Sequence, residues 1–337
     1  MSKFHLTDLI DAGAVVTCDG VQLVKRSRGR SENVKELAVE IPLHGALRLY
    51  TEWALNPERR ETLAETFKKN AAETISEAGK PVAEHRSGSW VGGEPEPYHV
   101  ERFHEFREDY AASVLAANVD FSEIETAMSD VTPRRRRAFS EYDGEFIEDR
   151  KDEITPFATT VRAPGATRVV TLDVQLGGAG NVPAQDIQEF GAAVAAVVNV
   201  LESNGVLVNL NCLVRSRGID VNSNVNLTQK INVKNANEFL SPGQLALASS
   251  TAFFRRVQFV LMAMSAAAVG KDSSSGLGSA INGYEHAVKG DRLELHLEAF
   301  RRHREKAGGG AGGYAVAVTT LARFIIDNAR NTSVAAA

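Results

Sequence analysis

Cysteine is scarce: the 337 residues contain only Cys18 and Cys212, nearly two hundred positions apart. Two thiols are too few for a disulfide framework and too sparse for a thiolate zinc site, so two buried free thiols are expected. No run of about 18 apolar residues occurs, which argues against a membrane span. The start, MSKFHLTDLIDAG, has neither a basic leader nor a small-residue cleavage site. A cytoplasmic protein is expected.

Motifs that carry chemistry are also missing. There is no GxxxxGK[ST] phosphate loop, and Gly177-Gly178-Ala179-Gly180-Asn181-Val182 fails the GxGxxG fingerprint at its last glycine. No Gly-x-Ser-x-Gly elbow surrounds any serine. His99 and His104 stand five apart around Glu101, whereas a metal pair on one helix face needs a spacing of three or four. The residue supply therefore points away from an enzyme, and neither cofactor nor metal is expected.

What the chain does have is apolar content, 43%, enough to bury a real core. The net charge of −5 is uneven: residues 1–165 hold 22 Lys and Arg against 30 Asp and Glu, and residues 166–337 hold 16 against 13. Arginine clusters recur at Lys25 to Arg30, Arg134 to Arg137, Arg215 to Arg217, Arg255-Arg256 and Arg301 to Arg304.

Along the chain, Leu6 to Asp11 reads as a short helical turn. Ala14 to Val24 follows as a hairpin broken by Asp19-Gly20. Glu58 to Ala78 reads as one long amphipathic helix opened near Pro57 and closed by Gly79 and Pro81. His85 to Pro97 is a Gly/Pro/Ser-rich loop around Trp90, and Tyr98 to Met128 is again helical in spacing. From Thr167 the pattern changes to strand (Arg168 to Leu176), alanine-rich helix (from Pro183 to Asn204-Gly205) and strand (Val206 to Val214), the signature of a parallel βαβ unit. A strand with one wet face, Val225 to Val233, then a very apolar helix from Ser241-Pro242 toward Gly270, a strand at Arg292 to Leu297 and a final helix at Tyr314 to Asn328 complete it.

The expected organisation is a mainly helical α+β region with a small hairpin at 1–130, a charged connector at 131–165, and a doubly wound, mostly parallel α/β domain at 166–330. A disordered tail is expected at residues 331–337.

The strand at Asp173-Val174-Gln175-Leu176-Gly177 and its setting resemble a von Willebrand factor A domain, in which a carboxylate on the first strand begins an Asp-x-Ser-x-Ser metal motif. Here the Asp is present and both serines are missing, so Asp173 is a weak metal candidate and reads first as structural. A second resemblance rests on SWVGG, Tyr142-Asp143-Gly144-Glu145, RVVTLDVQL, ESNG, VLVNLNCLV and Phe253-Phe254-Arg255-Arg256, from about Ser87 to Ala329. In that order these segments look like an uncharacterised family encoded by phages and mobile elements. The resemblance implies origin, architecture and a host-cell cytoplasmic location, and supplies no catalytic residues.

The leading expectation is a non-enzymatic interaction or assembly protein, a homo-oligomer or a binder of another phage or host protein. The alternative is nucleic-acid binding, in which Arg134, Arg135, Arg136 and Arg137 beside Phe139 and Tyr142 grip a backbone and stack on bases. Arg26, Arg28 and Arg30 are the second cluster for that role, and Trp90 is the candidate partner contact. Glu141, Asp143, Glu145, Glu148 and Asp149 follow the first cluster at once, which favours pairing among these charges or with a neighbouring subunit. A metal- or nucleotide-dependent enzyme at the Asp173 loop is the weaker third reading.

Overall fold

The computed structural model describes residues 5–23, 35–67, 69–80, 96–99, 169–176, 182–203, 206–217, 226–238, 242–268, 279–280 and 283–331. Its core is a mixed sheet to which both ends of the chain contribute.

The amino-terminal elements are α1 (Leu6–Asp11), β1 (Val15–Cys18), β2 (Val21–Leu23), β3 (Glu36–Pro42), α2 (Leu43–Ala54), α3 (Pro57–Glu65) and α4 (Lys69–Ala78). The hairpin forms as its turn residues dictate. Asp19 and Gly20 both adopt positive φ, 47° and 80°, as a two-residue turn between twisted strands requires. β3 alternates exposed Glu36, Ala38 and Glu40 with buried Leu37, Val39 and Ile41, a half-buried strand by its period of two. The described amino-terminal region is α+β, with three strands among its four helices. The single helix expected over Glu58 to Ala78 is two helices, α3 and α4. α3 starts where Asn56 Oδ1 accepts the Arg59 N–H at 3.1 Å and Pro57 takes the first turn.

The remaining elements are β4 (Val169–Gln175), α5 (Ala184–Ser203), β5 (Leu207–Arg217), β6 (Asn226–Lys234), α6 (Pro242–Ala248), a π-helical turn (Phe253–Gln258), α7 (Phe259–Ala268), β7 (Ser279–Ala280), β8 (Ala287–Lys289), β9 (Arg292–His296), α8 (Leu297–Lys306) and α9 (Gly310–Asn331). The sheet order is β2-β1-β3-β6-β5-β4-β9-β8, and β7 pairs with the end of β5. β4 runs parallel to both β5 and β9, and β3 runs parallel to β6. β5 and β6 are antiparallel, as are both outer hairpins. The broad α/β expectation thus holds, with more antiparallel pairing than a mostly parallel sheet would show.

Alternation gives the sheet two unlike faces. On one, Leu37, Val39, Ile41, Val170, Leu172, Val174, Val208, Leu210, Cys212, Leu227, Ile231, Leu293 and Leu295 are buried. Helices cover this face. Ile187, Phe190, Val194, Val197 and Leu201 recur at helical spacing along α5 and are all buried. The Gln229 amide nitrogen donates to the Gln258 carbonyl and its oxygen accepts from the Met262 N–H, and the Cys212 thiol donates to the Ala248 carbonyl. A register shift between β5 and β6 at Leu210/Asn211 turns Lys234 to the same side, where its Nζ lies 2.6 Å from Glu202 Oε1 on α5.

The amino-terminal helices are tied to this body by Arg256. The π-helical turn carries two successive buried arginines. Arg255 donates to the Val182 carbonyl, whereas Arg256 Nε donates to Ala78 O at 3.0 Å and its Nη2 to Lys80 O. Tyr50 Oη donates to the same Ala78 carbonyl at 3.0 Å. The carbonyl end of α4, which helix geometry leaves without partners, is thus held by a cation and a phenol. No helix among the described residues is long and apolar enough to cross a membrane.

Candidate functional site

The second face of the sheet is polar. β4 presents Thr171, Asp173 and Gln175, β5 presents Asn209, Asn211, Leu213 and Arg215, β6 presents Thr228, Lys230 and Asn232, and β9 presents Arg292, Glu294 and His296. Asp173 lies directly between Asn211 on one neighbour and Glu294 on the other.

Cross-strand hydrogen bonds order the middle of this face. Asn232 Nδ2 donates to Asn211 Oδ1 at 3.1 Å, and Asn211 Nδ2 donates to Asp173 Oδ1 at 2.7 Å. Arg215 spans β4 to reach Glu294, with Nη1 donating to Oε2 at 2.9 Å and Nη2 to Oε1 at 2.5 Å. This is a two-pronged guanidinium–carboxylate pair with the acid side chain only 5% exposed. Burial works to raise the Glu294 carboxyl, but the Arg215 hydrogen bonds and charge outweigh it and hold the group below the usual carboxylate range. Arg215 is correspondingly raised, first by that hydrogen bond.

His296 Nε2 lies 3.6 Å from Glu294 Oε2. Burial lowers the His296 imidazole despite the nearby carboxylate. A Cβ on Gly283 would fall within 2.6–2.7 Å of that ring, so only glycine lets the chain lie against it. The His296 backbone N–H donates to His286 Nδ1 at 3.1 Å, which places the His286 proton on Nε2. Burial, helped by His296 and His303, pushes His286 down to about 3.

A groove of about 200 Å³ crosses this face, and Thr17, Glu40, Asp173, Arg215, Lys230 and Arg292 line it. Each cation has an acid beside it. Lys230 Nζ is 2.5 Å from Glu40 Oε1, Arg215 is held by Glu294, and Arg292 Nη1 is 3.9 Å from Asp173 Oδ2. Such a surface is polar but nearly charge-neutral, suited to a partner that itself carries both signs. The donor set around Asp173 does not fit a metal ion. One oxygen is occupied by Asn211, a guanidinium faces the other, and Gln175 stands where the first motif serine would be. Among the described residues no group of three or more His, Cys, Asp and Glu could hold a metal. The Cys212 thiol is pushed up to about 12, chiefly by burial, and is not a nucleophile at neutral pH.

Of the residues singled out in the sequence, Asp173 lies at the centre of this face. Arg26, Arg28, Arg30, Trp90, Arg134, Arg135, Arg136, Arg137, Phe139 and Tyr142 lie outside the described residues, as does the glycine-rich turn at 177–181. Three other arginine clusters are engaged internally. Arg215 pairs with Glu294, Arg255 and Arg256 cap carbonyls, and Arg301 and Arg304 hold Asp186 at 2.8 and 2.9 Å. Glu40, Lys230, Arg292, Glu294 and His296 went unrecognised in the sequence. Their signal was the period of two in RLELH, NLTQKIN and ELAVEIP, which puts Arg292, Glu294 and His296, Lys230, and Glu40 on one face of their strands, although Gln229 breaks the polar–apolar alternation by lying on the other.

Fold and site together define a mixed α/β protein with a helix-covered apolar sheet face and a charge-paired groove on the other. Residues 61–308 match the family described as Domain of unknown function (DUF7192), and the chain belongs to that family. No curated protein and no solved structure matches the chain.

Proposed function

We propose that the protein is a non-enzymatic interaction or assembly protein of a phage or mobile element, acting as a homo-oligomer or on another phage or host protein in the host cytoplasm. The observation that carries this reading is the charge balance of the groove, where Lys230, Arg215 and Arg292 each sit beside a carboxylate. A polyanion gains affinity by releasing counterions from many phosphates, which needs unpaired cations. A polypeptide surface of mixed charge needs the pattern seen here. The von Willebrand factor A-like reading is supported by the β4-α5-β5 unit with Asp173 on its first strand, and by the antiparallel β6 beyond it. Such a domain without its metal motif suits protein contact. The phage or mobile-element origin rests on the order of the sequence segments from about Ser87 to Ala329.

Size-exclusion chromatography with light scattering, reading absorbance at two wavelengths, tests the proposal. A defined oligomer free of nucleic acid is the expected result. A monomer that carries nucleic acid and sheds it in high salt would overturn it in favour of the arginine clusters.

A further inference from the structure

We propose that Gly283 to Lys289 is a pH-released strap, closed over the β9 end of the polar face at neutral pH and swung open as the pH falls, with His286 as its catch. The proposal concerns this corner alone and does not depend on the oligomeric reading above. Contacts along its length fasten the segment. Gly283 lies against the His296 ring, so closely that a Cβ there would meet it at 2.6–2.7 Å. The Arg302 guanidinium of α8 stands over the Tyr284 ring, 3.9 Å from its centroid. His286 Nδ1 accepts the His296 N–H at 3.1 Å. Ala287, Val288 and Lys289 then pair with Glu294, Leu293 and Arg292 of β9. That last ladder is weak. β8 is the outermost strand, three residues long, and its final pair sets Lys289 opposite Arg292, two like charges. The strap can therefore lift away while β9, β4 and β5 stay paired.

His286 makes that opening sensitive to protons. Its Nδ1 already accepts a backbone N–H, and its Nε2 is buried with no partner among the described residues. The titratable groups that face it are His296 on β9 and His303 on α8, whose ring centroid is 6.3 Å away, while α9 presents the Phe324 ring at 5.4 Å. A second proton on this ring would displace the His296 N–H from Nδ1 and set a cation beside two other imidazoles, with no carboxylate among these neighbours. The closed strap thus holds a neutral ring, whereas an imidazole released into water takes up a proton near pH 6.5. His296, with Glu294, Arg215 and Lys289 around it, is also held low, first by burial, so uncovering it acts in the same direction. Opening lays bare the His296 ring beside the Arg215–Glu294 pair.

Hydrogen exchange of the full chain at low urea concentrations tests the strap, read at the His296 amide because its acceptor is His286 itself. That amide is expected to exchange through an opening that urea hardly favours, whereas the amides of β4 and β5 wait for global unfolding. From pH 7 to 5 the opening constant is expected to rise about 25-fold, approaching tenfold per pH unit once the freed imidazole is below its pKa. His286→Asn keeps an acceptor and is expected to lose most of that rise. Arg302→Ala removes the cation over Tyr284 and is expected to raise the opening constant about two- to fivefold at both pH values, leaving its pH dependence intact. Circular dichroism unchanged from wild type shows that each variant is folded, and the wild-type measurement stands without them. An opening constant equal at pH 7 and 5 overturns the proposal, as does a His296 amide that exchanges only by global unfolding. An Arg302→Ala chain with unchanged opening also overturns it, since Tyr284 would then not travel with His286.

Discussion

Glu294 keeps its charge in a nearly buried position because Arg215 meets both carboxylate oxygens. Removing one member leaves the other charged and poorly hydrated, which costs more than the pair itself contributes. Arg215→Ala and Glu294→Gln are each expected to lower unfolding free energy by about 2–4 kcal/mol in urea titrations. Arg215→Lys should fall between them and wild type, since a point charge cannot reproduce the fork. His286 supplies a pH signature. Its pKa falls from an ordinary 6.5 to about 3 on folding, mainly through burial. The unfolded chain therefore binds the proton first, so the stability is complete above about pH 6.5 and is lost as pH falls toward 3. His286→Asn keeps an acceptor for the His296 N–H, and its urea midpoint should depend less on pH between about 6 and 4 than that of wild type. A wild-type midpoint independent of pH in that window would contradict the burial of a neutral imidazole. Asp173 was legible in the sequence because it stands in a recognisable strand. The Arg215–Glu294 pair was not, since its members lie on two strands that meet only through the register of a third.

Elements whose signals are local were legible, and those defined by distant partners were not. Asp19-Gly20 announces the hairpin, and the run from Pro183 announces α5. β3 has clear alternation but no turn signal of its own, and its partner β6 lies in the other half of the chain. The break between α3 and α4 was hidden because the residues there are ordinary helix formers. The apolar run after Pro242 resolves into α6, a π-helical turn and α7, a widening that lets Arg255 and Arg256 point to carbonyls of different elements. Close approach of α5 to the turn after α6 depends on Gly191, where a Cβ would stand 1.9 Å from the Ser249 carbonyl oxygen. Alanine in a helix interior usually gains about 1 kcal/mol over glycine. Here Gly191→Ala is expected to lower the melting temperature by several degrees, because backbone must shift to admit the methyl. A rise in melting temperature would show that the two elements are not so close.

At the scale of the molecule, Arg256 joins parts of the chain that are far apart in sequence. Its bonds to Ala78 and Lys80 hold α4 against the π-helical turn. Arg256→Met keeps much of the volume and loses the carbonyl contacts. Hydrogen exchange in α3 and α4 should then accelerate well before that in β4 and β5, a local opening rather than global unfolding. Equal acceleration throughout would mean that the two parts unfold as one unit. The parallel pairing of β3 with β6 has a different consequence, in time rather than in energy. Glu36 pairs with Asn226, so about 190 residues must be made before β3 can meet its partner. At synthesis rates of about 5–20 residues per second, roughly 10–40 s pass on the ribosome with one edge of the amino-terminal hairpin sheet unclaimed. The nascent chain thus spends that interval with β3 open to wrong partners, and its yield in the cell should depend on how fast it is translated.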